Sequence, residues 1–282
     1  MAFVPSGDAP WTGLIAAALR SGGFDIYNID GRRVIEAPGP QLRGLAAAPD
    51  FAIRGNQFPL LVGVDDQGVL RGFLVIRDLE QVVEAPLEAI APAGAVQGLC
   101  AYDTGPGFLD VAVLGGDPVA EIWRVRDRGE DALSVESRTT IPLPFAARAC
   151  AASGDDLVVG GPAEGLVRVT PEGDVEADVR DVSVTDLIYV ELLGRRTVAA
   201  PSAPSGELLF FDADTLAPIK ALTFSDGLNA PAARAPTAIA ATDASYGGMG
   251  YASGVVAVFD ADDSRVKLVA RDVISRAVVT AD

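Results

Sequence analysis

Residues Gly23–Ala37, GFDIYNIDGRRVIEA, decide the fold. A short apolar run, a polar turn at Asp30-Gly31 and a second run read as a β-hairpin. The pattern returns as GFLVIRDLEQVVEA from Gly72, AEIWRVRDRGEDALSVES from Ala120 and GLVRVTPEGDVEADV from Gly165. It returns again as GELLFFDADTLAPIKALTF from Gly206 and GVVAVFDADDSRVKLVA from Gly254. Successive copies start 49, 48, 45, 41 and 48 residues apart, the period of propeller blades rather than of helical repeats.

Two further strands precede each hairpin after the first. The first is small and apolar (GLAAAPD, GLCAYD, ACAASGD, LIYVELLG, TAIAATD) and suits the innermost position, where sheets crowd around an axis. The second reads PLLVGV, DVAVLGG, DLVVGG, RTVAAP and GMGYA. Four strands per unit is the propeller rule, so the expectation is all-β: one six-bladed β-propeller over residues 1–282, four antiparallel strands per blade. In the first unit Trp11–Leu19 is an apolar strand, and Met1–Pro10 a lead-in that supplies no inner strand. Arg276–Asp282 (RAVVTAD) looks like the spare copy, predicted to pair into the first blade and close the ring. Asp50, Asp103 and Asp243 end inner strands as turn formers.

Composition excludes several chemistries. The formal charge is −17, from 39 acidic and 22 basic residues, which argues against nucleic acid and acidic membrane surfaces as partners. No histidine is present, so a Ser-His-Asp triad and the commonest zinc ligand are absent. Cys100 and Cys150 sit at similar places on neighbouring inner strands, and are expected to be buried free thiols. No apolar run reaches the roughly 20 residues of a membrane helix. No signal peptide is read in Met1–Pro10.

The candidate ligand-binding residues are arginines. In propellers function sits on loops at the axial mouth. Arg20 follows a second strand, while Arg43, Arg148 and Arg234 enter inner strands, so blade symmetry would gather the four at one end. Guanidinium binds phosphate or carboxylate bidentately and stays charged, which points to a small anion. Paired carboxylates carry less. Asp65-Asp66 and Asp155-Asp156 are strand neighbours facing opposite ways, and Asp260–Asp263 reads as a turn. Gly247-Gly248-Met249-Gly250 lacks the Gly-Lys-Ser/Thr of a phosphate loop.

The order of segments resembles the β-propeller phytases, six-bladed calcium-dependent enzymes that remove phosphate from inositol phosphates. LRSGGFDIYNIDGRRV is similar to their first blade, and AVQGLCAYD to their Pro-Tyr-Gly-Leu-Cys strand. RACAASGDDLVVGG is similar to their Glu-Gly-Cys strand, and YGGMGYASGVVAVFDADD to their last blade. The family's calcium and catalytic positions do not carry over. Its Asn-Asn-Val-Asp stands here as Arg43-Gly44-Leu45-Ala46, and its Glu-Pro-Tyr-Gly as Ala95-Val96-Gln97-Gly98. Its Pro-Glu-Gly-Cys is Ala147-Arg148-Ala149-Cys150, its Glu-Glu pair Gly161-Pro162, and its Glu-Gly-Leu Thr185-Asp186-Leu187. Its Thr-Asp-Gly-Ile is Pro236-Thr237-Ala238-Ile239, and only Arg20 keeps a family charge, in place of Lys.

The sequence therefore reads as a non-catalytic phytase-like propeller, a binding or interaction module for a small anion or a protein partner. No catalytic residue, metal or cofactor is expected. The alternative is a divergent phosphatase, the one case in which calcium would be expected. The resemblance implies a periplasmic or secreted protein.

Overall fold

Alanine-rich runs between the hairpins let six sheets meet around one axis. In the computed structural model, which describes all residues except 8, 91–93, 203, 228–230 and 280–282, the chain is an all-β, six-bladed propeller. Blade one holds β1 (Ala2–Val4), β2 (Leu14–Ala18), β3 (Phe24–Asn28) and β4 (Arg33–Ala37). Blade two holds β5 (Leu42–Ile53), β6 (Asn56–Asp65), β7 (Leu70–Ile76) and β8 (Gln81–Ala85). Blade three holds β9 (Gly98–Gly105), β10 (Phe108–Leu114), β11 (Val119–Arg126) and β12 (Ser134–Pro142). Blade four holds β13 (Ala149–Ser153), β14 (Asp156–Gly161), β15 (Gly165–Val169) and β16 (Val175–Val179). Blade five holds β17 (Ile188–Leu192), β18 (Arg195–Ser202), β19 (Glu207–Asp212) and β20 (Pro218–Leu222). Blade six holds β21 (Pro236–Thr242), β22 (Val255–Asp260) and β23 (Arg265–Ala270), followed by the helix α1 (Arg271–Val279).

All pairings within blades are antiparallel. The first strands β1, β5, β9, β13, β17 and β21 touch in succession around the ring, and β21 returns to β1. Where the inner strands begin is called here the mouth face. Each of the six interfaces between blades has its own apolar cluster. The interface of blades two and three buries Phe51, Leu60 and Leu109 completely, each worth about 1.5–3 kcal/mol. That of blades six and one is the smallest, formed by Phe3, Ile15, Ala240, Tyr246, Val255 and Ala257.

Carboxylate–cation pairs run between second and third strands of several blades. Asp65 meets Arg71 at 3.1 Å, Asp110 meets Arg124 at 2.7 Å, and Asp260 meets Lys267 at 2.8 Å. These aspartates are almost fully buried, so the paired charge and the hydrogen bonds they accept offset desolvation. Asp65 also accepts from the backbone of Gln67 and Val69, holding the turn into the third strand.

The termini differ from the sequence reading. Ala2–Val4 is the inner strand of blade one, pairing Ala2 with Ala16 and Val4 with Leu14. Three residues suffice because the axis leaves little width, and so short a run carries no period. Trp11 lies in a 3-10 turn (Pro10–Thr12) and is 67% exposed, so the second strand starts only at Leu14. Arg276–Val279 does not close blade one. It belongs to α1, whose Ile274 and Val278 are buried against Val190, Leu192, Leu208 and Phe210 of blade five. The spacing of Ile274 and Val278 is helical (i, i+4), which outweighs the strand preference of two adjacent valines. Thr280–Asp282, the rest of the predicted closing strand, lies outside the described residues.

The sixth hairpin is also one strand out of step. β21 pairs directly with β22, so Gly254–Ala270 supplies the second and third strands of its blade, and Gly248–Ala252 is a loop. The Asp260–Lys267 pair confirms this, since it matches the second-to-third strand pair Asp65–Arg71. Finally, Cys100 and Cys150 form a disulfide, with Cα atoms 5.8 Å apart, rather than free thiols. Adjacent inner strands bring the two β-carbons within bonding reach, a geometry no single-chain pattern reveals.

Candidate functional site

The inner strands line an axial cavity of ≈ 1420 Å³, walled largely by alanines of β2, β5, β9, β13 and β21. That exceeds an ordinary small-ligand pocket, roughly 300–1,000 Å³. Charge enters only at particular places. Arg20, Arg43 and Arg148 line the cavity together, as do Gln97, Thr185, Asp186 and Thr237 where the inner strands begin.

Local backbone rules place the three arginines. Arg20 sits in the turn between β2 and β3, where Gly22 N donates to Leu19 O at 3.1 Å. Arg43 lies within a bulge between Leu42 and Leu45. Gly44 adopts φ +111° there, and a β-carbon would stand 2.9 Å from Leu99 O. Arg148 is held by its own N–H, which donates to Gly160 O at 2.9 Å. Its carbonyl oxygen would stand 2.3 Å from a β-carbon on Gly98, so only glycine lets β9 approach β13 this closely. The Cys100–Cys150 bond fastens the same two strands two residues further in.

All three side chains are exposed. None of them makes an ion pair or side-chain hydrogen bond with a described residue, whereas most other arginines of the chain pair with a carboxylate. Arg234 is placed differently from the other three. Its backbone N–H donates to Asp260 at 3.1 Å, and its side chain is exposed away from the cavity lining. Arg234 stands two residues before β21, whereas Arg148 directly precedes β13 and Arg43 lies within β5. Conversely, Arg265 at the head of β23 lines the cavity, which no sequence signal indicated, because it depends on the shifted strand count of blade six.

The opposite side of the mouth is acidic and hydroxylic. Asp186 accepts from Leu187 N and Ile239 N, both at 2.9 Å, and Thr185 Oγ1 donates to Thr237 O at 2.9 Å. Burial raises the Asp186 carboxyl above its ordinary range, although both backbone bonds favour the anion. Tyr189 and Tyr27 also line the cavity. The paired carboxylates are engaged with protein groups: Asp65 and Asp260 each hold a turn, Asp260 and Asp263 share Lys267, and Asp156 pairs with Arg168 and Arg196. Among the described residues no three carboxylates or cysteines are grouped to hold a metal ion. No described helix is long and apolar enough to cross a membrane.

Six blades around a channel with a mixed polar mouth define a β-propeller, and known structures agree at that level. A chain from the crystal structure of BBS1N in complex with ARL6DN, soaked with mercury, matches with a TM-score of 0.56 at 14% identity. It covers 91% of this chain and 76% of that one. A protein of unknown function from Bacteroides caccae matches with a TM-score of 0.57 at 14% identity, over 88% and 82% of the two chains. A chain of the Mitotic Checkpoint Complex matches with a TM-score of 0.54 at 16% identity, over 90% and 70%. At such identities the likeness establishes the fold alone. No protein-family model and no curated protein matches the chain.

Proposed function

We propose that the protein is a binding module whose axial mouth takes a small anion, phosphate or carboxylate, through Arg20, Arg43 and Arg148. The observation that carries this reading is three exposed guanidiniums, without side-chain partners, on one cavity of a chain whose net charge is −17. Elsewhere the abundant carboxylates take up most of the arginines, so three open ones at one mouth favour a ligand as their partner. Arg148 and Arg43 stand where the resemblance to phytases would put metal-ligand segments, which favours a phytase-like scaffold turned to non-catalytic binding. Protein partners fit the same reading, since BBS1N is crystallised in a complex and another neighbour is part of one. The Cys100–Cys150 bond favours an oxidising compartment, and hence an exported protein.

Calorimetry with inositol hexakisphosphate and with sulfate tests the proposal. The parent should bind, and Arg43→Ala/Arg148→Ala should lose most of that affinity. The acidic surface opposes approach, so moderate salt should first tighten binding and higher salt weaken it. Absence of binding by the parent, or equal binding by the double variant, overturns the reading. The phosphatase alternative has its own readout: calcium-dependent phosphate release from phytate.

A further inference from the structure

The sixth blade is one strand short, and its open edge is specific enough to say what fits there. In blades one to five a fourth strand covers the third, but among the described residues nothing pairs with the outer edge of β23. Helix α1 does not take that place. It starts at the residue after β23 and turns toward blade five, where Ile274 and Val278 are buried. A strand edge leaves alternate N–H and C=O groups without partners. The side chains of Val266, Leu268 and Val269 on β23 remain half-buried. Val266, Leu268 and Phe259 also line the cavity, together with Tyr27, Asn28 and Gly31 of blade one.

We propose that this edge docks an extended segment of a different protein, which adds as a fourth strand antiparallel to β23. The sister blades define the occupant. β4, β8, β16 and β20 are each five residues long. In three blades an arginine of the third strand meets a glutamate of the fourth: Arg71 and Glu84 at 3.3 Å, Arg126 and Glu136 at 2.7 Å, Arg168 and Glu176 at 2.6 Å. In blade six Lys267 is already occupied by Asp260 and Asp263. Arg265, exposed and without a side-chain partner among the described residues, is the cation left for the missing strand. The docked segment is thus about five residues of β-forming sequence with an acidic residue opposite Arg265. A second copy of this chain is a poor occupant, because two bodies of charge −17 repel.

The test uses the full chain and a synthetic peptide of sequence LEQVVEAP, which is the fourth strand of blade two with its flanks (79–86). Hydrogen exchange followed by mass spectrometry should show slowing across 265–270 at millimolar peptide, with 175–179 unchanged. The same peptide with Val83→Pro should not protect, because proline cannot complete the ladder. Arg265→Ala should weaken peptide binding roughly two- to five-fold, the range a cross-strand charge pair carries. Arg43→Ala/Arg148→Ala should leave it unchanged, which keeps this site distinct from the anion mouth. Three results would each overturn the proposal: exchange at 265–270 already as slow as at β9 in the free chain, no protection by the peptide, or equal protection by its proline variant.

Discussion

Gly98→Ala is the substitution that most directly tests how the mouth is built. The new β-carbon would lie 2.3 Å from the carbonyl oxygen of Arg148, and 3.1 Å from its carbon. Ordinary contact needs roughly 1 Å more, and backbone rather than a mobile side chain stands in the way. Neither strand can yield freely. Arg148 N is bonded to Gly160 O at 2.9 Å, and Gln97 N to Leu114 O at 2.8 Å. The Cys100–Cys150 bond holds β9 to β13 close by. Overpacking of this kind costs about 1–3 kcal/mol, while replacing glycine gains about 0.4–1 kcal/mol from the less flexible unfolded chain. The net loss of about 1–2 kcal/mol lowers the melting temperature by roughly 2–8 °C, at 2–4 °C per kcal/mol for chains near this size. Gly107→Ala is the control, since no heavy atom lies within 4 Å of its added carbon, and it should melt at or slightly above the parent. Scanning calorimetry without reductant reads both. A Gly98→Ala protein as stable as the parent would refute the close approach of β9 and β13, and with it the placement of Arg148.

The disulfide spans 50 residues, so replacing Cys100 and Cys150 with alanine should cost about 4 kcal/mol of loop-closure entropy, measured by guanidinium unfolding. A loss below about 1 kcal/mol would contradict that account. Burial pushes the Asp260 carboxyl up, but the Lys267 ammonium and the N–H groups of Ala235, Arg234 and Asp262 outweigh it and bring it down to about 2. A depressed carboxyl stabilises the fold above its unfolded value near 3.8, and that contribution, about 2 kcal/mol, fades as pH falls through about 2. Asp260→Asn should therefore be less stable at neutral pH and lose its stability less steeply in this acid window. The raised Asp186 carboxyl acts the other way on the ligand. As pH climbs past the ordinary carboxylate range, Asp186 ionises and sulfate affinity should fall, and Asp186→Asn should remove the dependence. A pH profile unchanged in that variant would place the titrating group elsewhere.

The period of the hairpins made the ring legible, because a blade cannot bury its faces alone and six similar copies must stack. What failed was the count at the two ends. Ala2–Val4 is too short to show alternation, and α1 ends in adjacent valines that look like a strand. Reading Gly248–Ala252 as the second strand of blade six places the last hairpin one strand too far out. That shift hides Arg265, whereas Arg234 enters β21 as the sequence reads it but does not line the cavity. Arg20, Arg43 and Arg148 were legible because each lies at the end of a second strand or at the start of an inner strand that the repeat identifies. The disulfide was not legible, because the spacing of Cys100 and Cys150 is the blade period itself and says nothing about the distance between sheets.

A ring closed without exchanging a strand must be held at its seam by side chains, and these are identifiable. Tyr246, buried in the loop between β21 and β22, donates its hydroxyl to Leu14 O at 2.9 Å and meets Phe3 edge-on at 5.4 Å. Its ring fills the space beside Gly13, where a β-carbon would stand 2.5 Å away. From the other side Arg77 of blade two donates to the carbonyl oxygens of Val4 and Pro5. Strand β1 is thus gripped by both neighbours, although it contributes only three residues to its sheet. The grip is local, whereas a closing strand would have spread ladder bonds along a whole blade. The interface of blades six and one also buries the smallest apolar cluster, so sub-global opening should cost least there. The same seam carries the uncovered edge of β23, whose Val266 and Leu268 line the cavity. A site that accepts a strand needs an edge with unmet hydrogen bonds and neighbours loosely enough packed to admit it. Blade six supplies both at the one place where the ring is joined by contacts alone.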